Sequence, residues 1–108
     1  MTAIVPPAIT LDHFAPLQGT GFELRDAGDA AWTAQLARAQ ALPYPAHGGR
    51  QPFSLVFEVP GASTWAQGLF KLKPLADHPA ALQLGELQVF MVPIDADAQR
   101  VRYEAIFN

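Results

Sequence analysis

Apolar and polar residues alternate along most of the chain, with the period of two that puts successive side chains on opposite faces of a strand. In Gly21–Arg25, Phe22 and Leu24 share one face while Glu23 and Arg25 share the other. From Phe53 to Val59, Phe53, Leu55, Phe57 and Val59 point one way and Ser54, Val56 and Glu58 the other. Pro52 and Pro60 bracket that run, where a missing N–H costs a ladder least. Leu69–Lys73 repeats the pattern over a shorter length, and Val101, Tyr103, Ala105 and Phe107 mark a last strand. Leu87–Ile94 is apolar at both parities, Val89 and Met91 against Phe90 and Val92, which predicts a central strand covered on both faces.

Residues 30–42 carry two signals. Their alanines favour helix, whereas Trp32, Ala34 and Leu36 alternating with Thr33 and Gln35 favour strand, and the hairpin-like approach from Leu24 selects strand. Ala27-Gly-Asp reads as a turn, and Asp95-Ala-Asp-Ala-Gln-Arg as a hairpin loop. Thr10-Leu-Asp-His-Phe reads as a short N-terminal helix, with Thr10 as N-cap and its hydroxyl meeting a free backbone N–H. Three loops remain: residues 43–52, 60–68 and 74–84, the third with a helical turn at its end. The fold class expected is therefore mainly β, a small antiparallel barrel or sandwich with one short N-terminal helix, in a single domain over residues 1–108.

Composition narrows the chemistry. The chain has 108 residues and no cysteine, which excludes disulfides, thiolate metal sites and a thiol nucleophile. A cysteine-free chain suits the cytosol, so a cytoplasmic location is expected. Half the residues are hydrophobic, which argues against disorder. A net charge of −3 without a basic stripe argues against nucleic acid. The apolar runs fall far short of the roughly 20 residues a membrane helix needs, and Met1-Thr-Ala-Ile-Val-Pro-Pro has no secretory pattern.

No residue constellation reaches the standard of a catalytic or metal motif. His13, His47 and His78 match no metal-ligand spacing and read as surface or capping residues, so no metal or other cofactor is expected. Asp77-His78 beside Ser54 or Ser63 invites a triad, but adjacent Asp and His seldom point at each other, and neither serine sits in a G-x-S-x-G elbow. Asp95-x-Asp97 lacks the remaining ligands of a calcium loop. Gly19-Thr-Gly21 and Gly48-Gly49 are turns where positive φ is needed, not phosphate loops. Trp65 lies in a Pro- and Gly-bounded loop; it reads either as a plug over one end of the core or as an anchor for a partner.

Pro52-Phe-Ser-Leu-Val-Phe, Gln67-Gly-Leu-Phe-Lys-Leu, His78-Pro, Leu84-Gly-Glu-Leu-Gln-Val-Phe-Met-Val-Pro and Tyr103-Glu-Ala-Ile-Phe-Asn together resemble a family of small bacterial domains of unknown function. Its members read PFSL-x-F, QG-x-Y-x-L, HP-x-LG-x-L-x-LF-x-VP and YEA-x-FN. Phe14…Leu17-x-Gly19…Phe22 matches the family's opening, whereas Phe70 stands where its tyrosine is usual and the third loop is longer here. The resemblance implies a compact β-rich domain, assigns no activity, and hints at an assembly role near phage-tail-collar-like proteins.

The function expected from these readings is a non-catalytic interaction or assembly module for a protein partner, with self-association as one form. The alternatives are a binder of a small apolar ligand inside an incompletely filled barrel, and a hydrolase of unrecognised type. Alternation of strand ends gives two candidate partner surfaces: Tyr44, His47, Arg50 and His78 at one pole, and Trp65 at the other.

Overall fold

Each alternating segment folds as a strand in the computed structural model, which describes residues 9–43, 51–60 and 67–107. The strands are β1 (Gly21–Arg25), β2 (Ala31–Ala41), β3 (Phe53–Pro60), β4 (Gly68–Pro74), β5 (Leu87–Ala96) and β6 (Arg100–Phe107). Two short helices, α1 (Leu11–Phe14) and α2 (Pro79–Leu84), and a 3₁₀ turn at Ala15–Leu17 complete the described elements. All six strands pair antiparallel into a closed barrel in the order β1-β2-β3-β6-β5-β4. The barrel thus decides between the two architectures that alternation alone allows, and the segment 30–42 is strand.

The barrel is two three-stranded meanders, β1-β2-β3 and β4-β5-β6. They are joined by the β3–β6 ladder, from Phe53↔Phe107 to Pro60↔Arg100, and by the β1–β4 ladder. A plain up-and-down order fails at one step: β3 and β4 follow each other in sequence but are not neighbours in the sheet.

The inward positions form the core. Phe22, Leu24, Leu36, Phe53, Leu55, Phe57, Leu72, Met91 and Ala105 have almost no exposure. Alpha1 and the 3₁₀ turn close one end: Phe14 and Leu17 are fully buried, and the Phe14 ring lies 5.9 Å from Phe53 and 5.6 Å from Phe107. Gly19 follows with φ +84°, a conformation costly for any residue with a Cβ. Gly21, by contrast, is the first residue of β1 and does not have a positive φ; Gly48 and Gly49 lie outside the described residues.

Two bulges adjust the wall. Between Leu36 and Arg38 the β2–β3 register slips by one, so the inward parity passes from Leu36 to Ala39 across Ala37. A second slip between Pro93 and Asp95 sets Ile94 out of register with β6.

The expectation of a strand covered on both faces is overturned. Beta5 is not covered on both faces: Leu87, Val89 and Met91 are buried, but Phe90 is only half-buried and Val92 and Ile94 are exposed. In a closed barrel the outer face of a strand meets solvent unless another layer covers it, and neither helix lies over this one. Apolar character at both parities here marks an apolar outer wall.

Candidate functional site

The outer wall of β4, β5, β6 and β3 can be read row by row from the strand registers. In the row nearest the β5–β6 hairpin, Asp95, Arg102 and Glu58 stand on adjacent strands. Their outward parity brings the charges together. Glu58 accepts from Arg100 Nη1 at 2.8 Å and from Arg102 Nε at 3.0 Å, and Arg102 Nη1 donates to Asp95 at 2.7 Å. The Arg100 and Arg102 hydrogen bonds hold the Glu58 carboxyl below the usual carboxylate range, against an opposing effect of burial. Asp97 holds the hairpin tip: its carboxylate accepts from the backbone N–H groups of Gln99 and Arg100, which lowers its pKa.

In the next row Val92 faces Glu104, which faces Val56. One outward position further along, Phe90 pairs with Leu69 on β4, and Ile106 follows Glu104 on β6. Leu69, Phe90, Val92 and Ile106 therefore form an apolar cluster on the outer wall. Val92 is 37% and Ile106 53% exposed. Lys71, paired in register with Gln88, borders the cluster on the side away from Glu104. Neither Lys71 nor Glu104 is in an ion pair among the described residues.

A separate groove of about 470 Å³, of mixed character, runs over Gly21, Thr33, Ala34 and Pro60 to Glu58 and Arg100. Its two charged side chains neutralise each other, and Gln35 Nε2 donates to the Gly19 carbonyl at 3.0 Å.

Of the residues singled out by sequence, Tyr44, His47, Arg50 and Trp65 lie outside the described residues. His78 is the N-cap of α2, its Nδ1 accepting from the Ala80 N–H at 3.0 Å. His13 does similar work on α1, where its Nδ1 accepts from the Thr10 N–H at 3.1 Å. Thr10 is the N-cap as expected: its side chain faces the His13 backbone N–H in a capping box that the His13 ring completes, and its hydroxyl also lies 3.3 Å from His13 Nδ1. Ser54 is buried in the barrel wall between Gln40 and Ile106.

Residues 9–107 match the family described as "Domain of unknown function (DUF6916)". The chain belongs to that family. No curated protein and no solved structure matches the DUF6916 chain.

Sequence reasoning missed the Glu58–Arg100–Arg102–Asp95 network and the Phe90-centred cluster. Arg100 and Arg102 share a parity opposite to Val101 and Tyr103, so their common outward face was readable. Their meeting with Glu58 depends on β3 pairing with β6, a contact between residues more than 40 positions apart in sequence.

Proposed function

We propose that this DUF6916 domain is a non-catalytic interaction module that engages a protein partner through the outer wall centred on Phe90. The observation that carries the reading is the apolar cluster of Leu69, Phe90, Val92 and Ile106 on a wall that neither helix covers. Contiguous apolar side chains rimmed by charge mark interaction surfaces more often than chance exposure does. Barrel closure adds to this, because every strand is paired on both sides over part of its length. A partner therefore meets side chains and does not extend the sheet.

Three further observations favour binding over chemistry. The inward side chains of the described strands are, Tyr103 apart, buried apolar groups that carry no nucleophile or general base. The Nδ1 lone pair of His78, which a general base would need at that nitrogen, already accepts a backbone N–H. The Glu58 carboxylate is held by two arginines. An assembly role of the phage-tail-associated kind in a bacterium fits this reading and rests on the motif resemblance alone, and a cytoplasmic location rests on the absence of cysteine.

Site-specific photo-crosslinking in the native host tests the proposal. A crosslinker replacing Phe90 or Ile106 is expected to trap discrete protein adducts. The same crosslinker at Thr33, on the diametrically opposed strand β2, is expected not to. Equal or absent adducts at all three positions would reject the reading.

A further inference from the structure

Phe90 occupies the midpoint of a charge pattern. Lys71 stands one strand to one side of it and one outward position along the wall; Glu104 stands one strand to the other side and one outward position in the opposite direction. The registers fix this arrangement: Leu69↔Phe90 and Lys71↔Gln88 on the β4 side, Val92↔Glu104 on the β6 side. Lys71 is exposed, Glu104 is half-buried, and neither has an ionic partner among the described residues. Of the neighbouring outward charges, Arg102 is paired with Asp95 and Glu58 and Arg100 with Glu58, whereas Lys73, one outward position beyond Lys71 and further from Phe90, is in no ion pair among the described residues.

We infer that the partner of this wall is a second copy of the same chain, in a two-fold dimer centred on Phe90; the inference rests on the interaction reading above. An isologous contact requires a patch complementary to itself: if residue i meets residue j, then j must meet i. A two-fold axis lying in the contact plane, passing through Phe90 and perpendicular to the line from Lys71 to Glu104, meets that requirement. It sets Phe90 against the second copy's Phe90 and each Lys71 against the other copy's Glu104. The same rotation carries Leu69 towards the second copy's Val92. One apolar centre and two symmetric ion pairs result, with the Asp95–Arg102–Glu58 network at the rim. The ion pairs set the orientation of the contact, and the apolar centre supplies the larger part of its attraction.

Sedimentation of the intact chain across micromolar to millimolar concentration tests the inference. The wild type is expected to pass from monomer to dimer. Lys71→Glu alone turns both ion pairs into like-charge contacts, and so does Glu104→Lys alone; each is expected to raise the dissociation constant by about tenfold or more, which corresponds to about 1.4 kcal/mol. The double substitution Lys71→Glu/Glu104→Lys restores opposite charges and is expected to restore the dimer. An equimolar mixture of the two single variants is expected to form a heterodimer more tightly than either self-associates. Both positions lie on the outer wall, and equal melting temperatures confirm folding. A wild type that stays monomeric, single variants that dimerise unchanged, or a double variant no better than the singles would each overturn the inference. A monomeric chain that still gives Phe90-dependent adducts to another protein removes the second copy as partner and leaves the interaction reading standing. A monomeric chain without such adducts removes both.

Discussion

The rings of Phe53 and Phe107 stack with centroids 4.6 Å apart and planes within 8° of parallel, so the first residue of β3 is locked to the last residue of β6. Both are buried, and Phe14 from α1 leans on the pair. Truncating Phe107 to Ala removes a buried ring from this triple contact and is expected to destabilise the fold by about 3–5 kcal/mol. Chemical denaturation of Phe107→Ala beside the wild type measures it. A loss under about 1 kcal/mol would mean that the end of β6 contributes little to the core.

Glu58 offers a pH-dependent test. Its folded pKa is depressed by Arg100 and Arg102, so its contribution is fully present above the ordinary carboxyl value of about 4.3 and is lost as pH falls through the lower, folded value. Glu58→Gln is expected to cost about 1 kcal/mol at neutral pH, a modest figure because both arginines face solvent. The stability gap between wild type and variant is expected to narrow below about pH 4. A gap unchanged from pH 7 to pH 3 would show that the charge of Glu58 is not what matters.

Tyr103 responds at the other end of the scale. Burial pushes its phenol above the ordinary value, because the interior disfavours the phenolate. Its contribution is intact below about pH 10 and is lost as pH rises from there through the raised folded value. In a Tyr44→Phe background Tyr103 is the remaining tyrosine, so its ionisation is read directly by ultraviolet absorbance. Titration is expected above the free-tyrosine midpoint, or abruptly with alkaline unfolding; a midpoint at the free value in a folded protein would contradict the burial.

His78 is expected to matter through its cap. His78→Ala leaves the Ala80 N–H without this acceptor and is expected to cost about 1 kcal/mol. His78→Asp supplies a carboxylate acceptor at the same position and is expected to recover most of that loss. Thermal melts of the two variants separate capping from other roles: equal losses would place the value of His78 elsewhere.

Most strands were legible because one barrel face is buried and the other wet, and that contrast imprints a period of two on Phe22/Leu24, Phe53–Val59 and Val101–Phe107. The same logic failed at β5. Periodicity reports which positions are apolar, not whether anything covers them, so Phe90, Val92 and Ile94 read as buried although they face outward. The bulge at Ala37 was also invisible, since Ala37 and Ala39 are the same residue type on opposite sides of the register slip. Barrel closure and the β3–β6 pairing were hidden because long-range partners leave no local trace. The candidate site depends on those pairings, which is why its residues were visible singly and not as a group.

The β3–β6 ladder has a consequence for how the chain reaches this state. As the ribosome extends the chain, β1, β2 and β3 emerge early and can pair as a meander, but β3 has no second neighbour until residues 100–107 follow. Until then the nascent chain carries an open strand edge with Phe53, Leu55 and Phe57 uncovered, a surface that invites intermolecular pairing. Closure therefore waits on the synthesis of β6, and a nonsense codon before it is expected to yield an aggregating fragment in place of a smaller folded domain.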